Sequence, residues 1–323
     1  MDRRDEQLQT ARKALQAGDH AGALAMAEEL LAADAGDGDG DALYVAAVAA
    51  RYAGEPEAAA DYLAALHRAM PEYGRAWQEA GHLAVARNQP EEAIAAFSRA
   101  VRFNPALEAS WRELARLQAA AGRTAEARAA SVQRDRIVAL PRELLAVTNH
   151  LHEGRLLRAE EICRHYLRAH PQETEGMRLL AQIGIRLGVL DDAEFLLESA
   201  VAFAPEDIQL RLDYIDALRR RQKFERSRKE AEALYARDPA NPLFQSHLAI
   251  ESLQTGDYDR AFELFDQVLE TLPRDPATLT SRGHALKTMG RQADAVESYR
   301  AAFAAKPDHG DAFYALANLK TYR

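Results

Sequence analysis

With 50 acidic and 41 basic side chains among 323 residues, the chain has a formal charge of −9. That balance argues against broad binding to nucleic acid or to an anionic membrane, while leaving room for a local basic face. Cys163 is the only cysteine, which excludes an intrachain disulfide and suits a reducing compartment. No apolar run approaches the roughly 18 residues of a membrane span, and charged residues follow Met1, so a cytoplasmic protein is expected.

Ala, Leu, Glu, Arg and Gln dominate, and β-branched residues never alternate over a strand's length, so the expected fold is all-α. Prolines punctuate it at Pro71, Pro105, Pro171, Pro205, Pro239, Pro273 and Pro307, a 34-residue spacing apart from one 66-residue step that holds two units. Aligned on those prolines, Gly154, Gly188, Gly256 and Gly290 share one column and Ala93, Ala159, Ala193, Ala261 and Ala295 another. Each unit reads as two helices closed by a proline, which has no N–H to continue the second helix and clashes with the turn before it.

In chain order, the first unit is weak, with Gly18 and Asp19 at its turn and Ala23, Ala27 and Leu30 along its second helix. The second, from about Gly40 to Tyr73, has Leu43 where tryptophan is favoured and Ala59 at the tight site. The third, from about Gly74 to Leu107, is best formed: Gly81 and Ala93 are small where two helices approach, and Trp77 and Phe97 are expected to fill the space on either side. The fourth carries Trp111, Leu114 and Ala127, but its second helix holds Arg128, Arg134, Asp135 and Arg136, and Ser131 replaces the aromatic. A kink or subdomain boundary is expected near 124–142. The fifth has Leu144, Gly154, Ala159, Cys163 and Tyr166, and the sixth Leu180, Ala193, Leu197 and Ala200. The seventh is degenerate, with Ser227 at the tight site, whereas the eighth (Leu248, Ala261, Phe265) and ninth (Gly283, Ala295, Tyr299) recover the pattern. A lone helix from Asp311 ends the sequence, and Phe313, Leu316 and Leu319 are expected to be exposed there unless a following domain or a second copy covers them.

Trp77, Gly81, Ala93, Phe97, Ala100 and Pro105 resemble the tetratricopeptide repeat. The resemblance implies one right-handed superhelical solenoid over 1–323, with about nine helix-turn-helix repeats and a final lone helix, acting as a protein-binding scaffold. More narrowly, SRGHALKTMGRQADAVESYR from Ser281, ALANLKTYR from Ala315, PRELLAV from Pro141 and EGRLLRAEEICRHYLRAHP from Glu153 resemble the repeat arrays that precede a sulfotransferase domain in bacterial proteins. This would make the chain the recruiting arm of an enzyme using 3′-phosphoadenosine 5′-phosphosulfate (PAPS). The alternative is a free-standing adaptor or an assembly or secretion chaperone. No strand, Gly-rich turn and helix to cradle that cofactor occurs in the sequence, so the chain itself is read as non-enzymatic and without a cofactor; any catalytic domain is expected after residue 323.

Asp37, Asp39 and Asp41 are spaced like the opening of a calcium loop, but Val48 stands where its closing glutamate is needed, so a solvated loop is preferred. His150, His152, Cys163 and His165 do not share a helix face, and Cys163 falls at a core position, so no metal is assigned. The basic run Arg219, Arg220, Arg221, Lys223, Arg226, Arg228 and Lys229 reads as a solvated helix end, with contact to an acidic partner as the lesser alternative.

The resemblance also implies that the first helix of each repeat lines a concave groove. Its ligand-facing columns supply Arg75, Gln78 and His82 from the third repeat, Arg112 and Arg116 from the fourth, and Glu175, Arg178 and Gln182 from the sixth. An acidic or carboxylate-bearing extended peptide is the expected guest, held by guanidinium forks. The competing expectation is that these arginines pair with Glu79, Glu113 and other carboxylates of their own helices.

Overall fold

The computed structural model describes residues 3–33, 39–307 and 310–320, and among these residues there are nineteen helices and no strand. The helices fall into two compact units, Met1–Ala169 and His170–Arg323. The first holds α1 (Arg3–Gln16), α2 (His20–Ala32), α3 (Gly40–Ala53), α4 (Pro56–Ala69), α5 (Gly74–Ala86), α6 (Pro90–Phe103), α7 (Glu108–Ala120), α8 (Thr124–Val138), α9 (Arg142–His152) and α10 (Leu156–Ala169). The second holds α11 (Thr174–Leu187), α12 (Leu190–Phe203), α13 (Ile208–Arg220), α14 (Phe224–Arg237), α15 (Pro242–Gln254), α16 (Tyr258–Thr271), α17 (Pro276–Thr288), α18 (Gln292–Ala305) and α19 (Gly310–Lys320). Odd and even helices pair into nine hairpins, and α19 packs against α18.

Every hairpin turns through one left-handed residue. Gly18, Gly54, Gly122, Gly154, Gly188, Gly256 and Gly290 take this conformation, with φ between 75° and 83°. Asn88 and Gln222 stand at the same register with φ of 57° and 56°. The N–H of the following residue bonds back to the inner helix, as from Gln89 to Ala84 O and from Lys223 to Leu218 O, both at 2.9 Å, which satisfies a carbonyl the helix would leave unpaired. A side chain is strained in this region, so Asn88→Gly and Gln222→Gly are each expected to stabilise the chain by about 0.5–1 kcal/mol, read as a raised urea midpoint. A lowered midpoint in both would refute the strain argument.

Within a hairpin, glycine and an aromatic ring share one space. A Cβ added to Gly81 would lie 2.7 Å from the Phe97 ring, and one added to Gly283 would lie 2.5 Å from the ring of Tyr299. Phe97, Tyr299 and Phe265 are among the largest side chains fully removed from solvent. Trp77 departs from its expected place. It is half-buried at the repeat's edge, stacked on His67 at 3.8 Å between centroids with the Arg99 guanidinium 4.5 Å from its ring. Its indole Nε1 donates to Pro71 O at 2.8 Å, and Trp111 repeats the bond to Pro105 O at 2.8 Å. Arg211 and Gln245, six residues after Pro205 and Pro239, make the equivalent bonds at 3.1 and 2.8 Å.

In the first unit, α8 and α9 are not packed along their lengths, although other successive hairpins of this unit are. Ala139, Leu140 and Pro141 connect them, and Val132 and Val138 stay exposed on α8. In the second unit Ser227, at the degenerate tight site, is fully buried and donates to Ile215 O at 3.1 Å, so a hydroxyl serves where other repeats use alanine. On α19, Ala312 and Ala315 are buried against α17 and α18, Phe313 and Tyr314 are exposed, and Leu316 is half-buried, contrary to its expected exposure. The side chain of Leu319 lies outside the described residues.

Candidate functional site

In the first unit the inner-face residues of α5 and α7 are already engaged. Arg75 donates from Nε to Glu153 of the α9–α10 turn. Gln78 accepts from Ser110 Oγ at 3.0 Å, and His82 meets the Phe97 ring edge-on, with burial holding its pKa below the usual histidine value. Arg112 pairs with Glu108 at 3.2 Å and Arg116 with Glu113 at 2.8 Å, one turn away on the same helix. Both guanidiniums are more than half exposed, so these pairs fix little.

In the second unit Arg178 forks onto Glu175 at 2.6 and 2.7 Å and reaches Asp213 at 3.4 Å, while Gln182 donates to the same aspartate at 3.3 Å. Burial opposes the Arg178 charge, but the Glu175 and Asp213 carboxylates outweigh it and raise its pKa. The four arginines of the expected basic groove thus each hold a carboxylate of the chain itself.

Within the basic run, Arg220 and Lys229 stay exposed, as a solvated helix end requires, but Arg219, Arg221, Lys223, Arg226 and Arg228 correct that reading. Glu194 of α12, whose side chain is 6% exposed, receives Lys223 at 2.7 Å, Arg226 at 2.9 Å and Arg221 at 3.3 Å. Arg226 also donates to the Tyr214 hydroxyl at 2.6 Å, and Arg228 joins Asp257 at 2.9 Å. Arg219 donates from Nε to Glu251, which is completely buried, at 2.7 Å. These cations stitch neighbouring hairpins together. The sequence hid this because the acceptors lie about one repeat away from their donors.

Burial, then the neighbouring Arg219 charge, lowers the pKa of His247 to about 4. A histidine depressed below its unfolded value of about 6.5 stays neutral in the fold while the unfolded chain takes up a proton. Stability is therefore full above pH 6.5 and falls as the pH drops toward 4, by at most about 3 kcal/mol. Urea midpoints measured across that window should fall in the parent chain and flatten in His247→Phe; an unchanged slope in the variant would refute the assignment.

One inner-face surface is open. Between α15 and α17 lies a cleft of about 320 Å³, walled by Leu243, Ser246 and Ile250 on one side and Ala277, Thr278 and Ser281 on the other, with Leu272 and Val268 at its base. Leu243 and Leu272 keep 48% and 47% of their surfaces exposed. Leu243, Ser246 and Ile250 occupy the same columns as Arg75, Gln78 and His82 five repeats earlier. Attention to charge alone passed over this apolar stretch.

Among the described residues no three His, Cys, Asp or Glu side chains converge on a metal-sized space. Cys163 is buried in its hairpin. Asp39 caps α3 through the N–H groups of Asp41 and Ala42, Asp41 pairs with Arg12 at 2.6 Å, and Asp37 lies outside the described residues. No described helix is long and apolar enough to cross a membrane.

Two family models match the chain. The cytochrome c-type biogenesis protein H TPR domain matches residues 162–279, and the tetratricopeptide repeat matches residues 79–135 and 280–319; together they take in about two thirds of the sequence. No curated protein matches it. Among solved structures, a tetratricopeptide repeat protein from Parabacteroides merdae ATCC 43184 is 13% identical with a TM-score of 0.46, over 87% of this chain and 98% of that one. MamA from Desulfovibrio magneticus RS-1 is 13% identical with a TM-score of 0.45, over 53% of this chain and 99% of its own. YrrB, described as a TPR protein with an unusual peptide-binding site, is 15% identical with a TM-score of 0.41, over 69% of this chain and 98% of its own.

Proposed function

This chain belongs to the tetratricopeptide-repeat family, and on that premise we propose that it is a non-enzymatic adaptor that binds an extended segment of a partner protein and anchors an aliphatic side chain in the α15–α17 cleft. The observation that carries this reading is the cleft itself, an apolar opening on inner-face columns whose counterparts in α5 and α11 are occupied by internal polar pairs. Serine and threonine at its rim offer hydrogen bonds to a peptide backbone, and the exposed Leu243 and Leu272 gain by being covered. A cytoplasmic setting is part of the proposal and rests on the free thiol of Cys163.

Selection from a random peptide display library against the full chain tests it. Enriched peptides should share an aliphatic residue and lose at least tenfold in affinity for Leu243→Glu. Peptides that bind Leu243→Glu as well as the parent chain would refute the cleft as the site. A narrower role as the recruiting arm of a PAPS-dependent sulfotransferase is supported by the resemblance of residues 281–300 and 315–323 to such arrays. Sulfuryl transfer by the natural gene product would establish it, and a gene product that ends at residue 323 would remove it.

A further inference from the structure

The turn between α9 and α10 rests on the first turns of α3 and α5. Glu153, with 5% of its side chain exposed, accepts from Arg75 and lies 3.4 Å from Nη1 of Arg155. Arg155 reaches Asp41 at 3.8 Å, and Asn104 Nδ2 donates to Asn149 Oδ1 at 3.0 Å. The rings of Tyr44 and Tyr73 meet edge to face at 5.5 Å beside this cluster. Burial, then the Glu153 charge, pushes the Tyr73 hydroxyl up to about 12. A carboxylate thus sits in a dry, aromatic-walled place with a guanidinium fixed on it, which is how a receptor for acidic peptides would hold its ligand.

The hairpin that delivers Glu153 is not fixed by the helix preceding it, because α8 and α9 are not packed along their lengths and three residues join them. The contact between Glu153 and Arg75 is an ion pair, so an incoming carboxylate can replace it in kind. His150, at the end of α9, leaves a buried Nδ1 without a partner, a cost that opening the turn would relieve.

We propose that Arg75, with Tyr44, Tyr73 and Arg12 nearby, is a binding site for an acidic segment of a partner protein, and that Glu153 of the chain's own α9–α10 turn fills this site until such a segment displaces it. The internal ligand identifies the external one: a glutamate presented in an extended or turn conformation. The site lies in the first unit and does not depend on the α15–α17 cleft.

The test uses a fluorescein-labelled peptide of residues 147–158, VTNHLHEGRLLR, titrated against the full chain. Glu153→Gln should bind it at least tenfold more tightly than the parent chain, because the internal competitor is neutralised. Adding Arg75→Gln should abolish that gain, and a peptide with glutamine in place of its glutamate should bind at least tenfold more weakly. Asn149→Ala, which loosens the turn and leaves the carboxylate in place, should give an intermediate gain and carries the comparison should Glu153→Gln fail to fold. The gain on Glu153→Gln should be the same in a Leu243→Glu background, which separates the site from the cleft. Equal affinity for the parent and opened variants, affinity indifferent to Arg75, or no binding by variants with parental circular dichroism and urea midpoint would each overturn the proposal.

Discussion

Arg219→Ala is expected to destabilise the second unit by about 3–5 kcal/mol, because it leaves a charge buried with no counter-ion. Glu251 has no exposed surface and accepts 2.7 Å from Arg219 Nε, and its Oε2 has no other protein partner. Its column holds Ala49, Leu83, Leu117, Ile183, Ala217 and Ala285 in six other repeats and Lys13 and Asn149 in the remaining two, so the position is mostly apolar and the eighth repeat alone places an acid there. The double change Arg219→Met with Glu251→Leu should recover most of the loss, since an apolar pair of similar volume avoids the desolvation that the ion pair offsets. Urea denaturation with hydrogen exchange along α13 and α15 measures both, and exchange locates the loss where a repeat array need not unfold in one step. A single variant as stable as the parent would show that water reaches Glu251.

Phe97→Ala should cost the first unit a similar amount, about 3–5 kcal/mol, through the lost burial of the deleted ring and the cavity left between α5 and α6. The ring is fully buried and occupies the space a Gly81 Cβ would need, 2.7 Å away. Gly81→Ala should therefore cost about 1–3 kcal/mol alone by overpacking, yet be tolerated in a Phe97→Leu background, where the smaller side chain yields. Additive losses in the double variant would separate the two residues and undo the shared-space account. Trp77→Ala should cost less than Phe97→Ala, because the indole is half-buried at the edge.

The hairpins were legible because their cause is local and periodic. A glycine column at the turn, alanine at the tight site and a proline after the second helix each reflect a backbone requirement recurring every 34 residues. Even the departures follow the period: Asn88 and Gln222 take the left-handed turn without glycine because the rest of the hairpin over-determines it. Trp77 was placed wrongly because its column says that a large side chain belongs there, not that its indole nitrogen must reach a carbonyl at the surface. The site was less legible. Arg75 stands in a ligand-facing column, but its partner Glu153 is 78 residues away, in a hairpin whose placement no period announces. Glu194 and its three cations share that difficulty, and Leu243 escaped notice because one leucine in a helix-rich chain carries no distinguishing mark.

The bonds from Trp77, Trp111, Arg211 and Gln245 to the carbonyl of the proline six residues before each act as guy-lines that stiffen the joint between one hairpin and the next. After Pro273 and Pro307 the corresponding side chains are Leu279 and Phe313, which have no donor, so those two joints of the second unit lack the tether. Pro273 follows Leu272 at the base of the α15–α17 cleft. In a row of springs the softest take up most of the deformation, so a load on the second unit would be absorbed at the joints on either side of the ninth hairpin, one of which lies beside the cleft. A ligand wedged there could widen its opening with little disturbance to the tethered joints after Pro205 and Pro239.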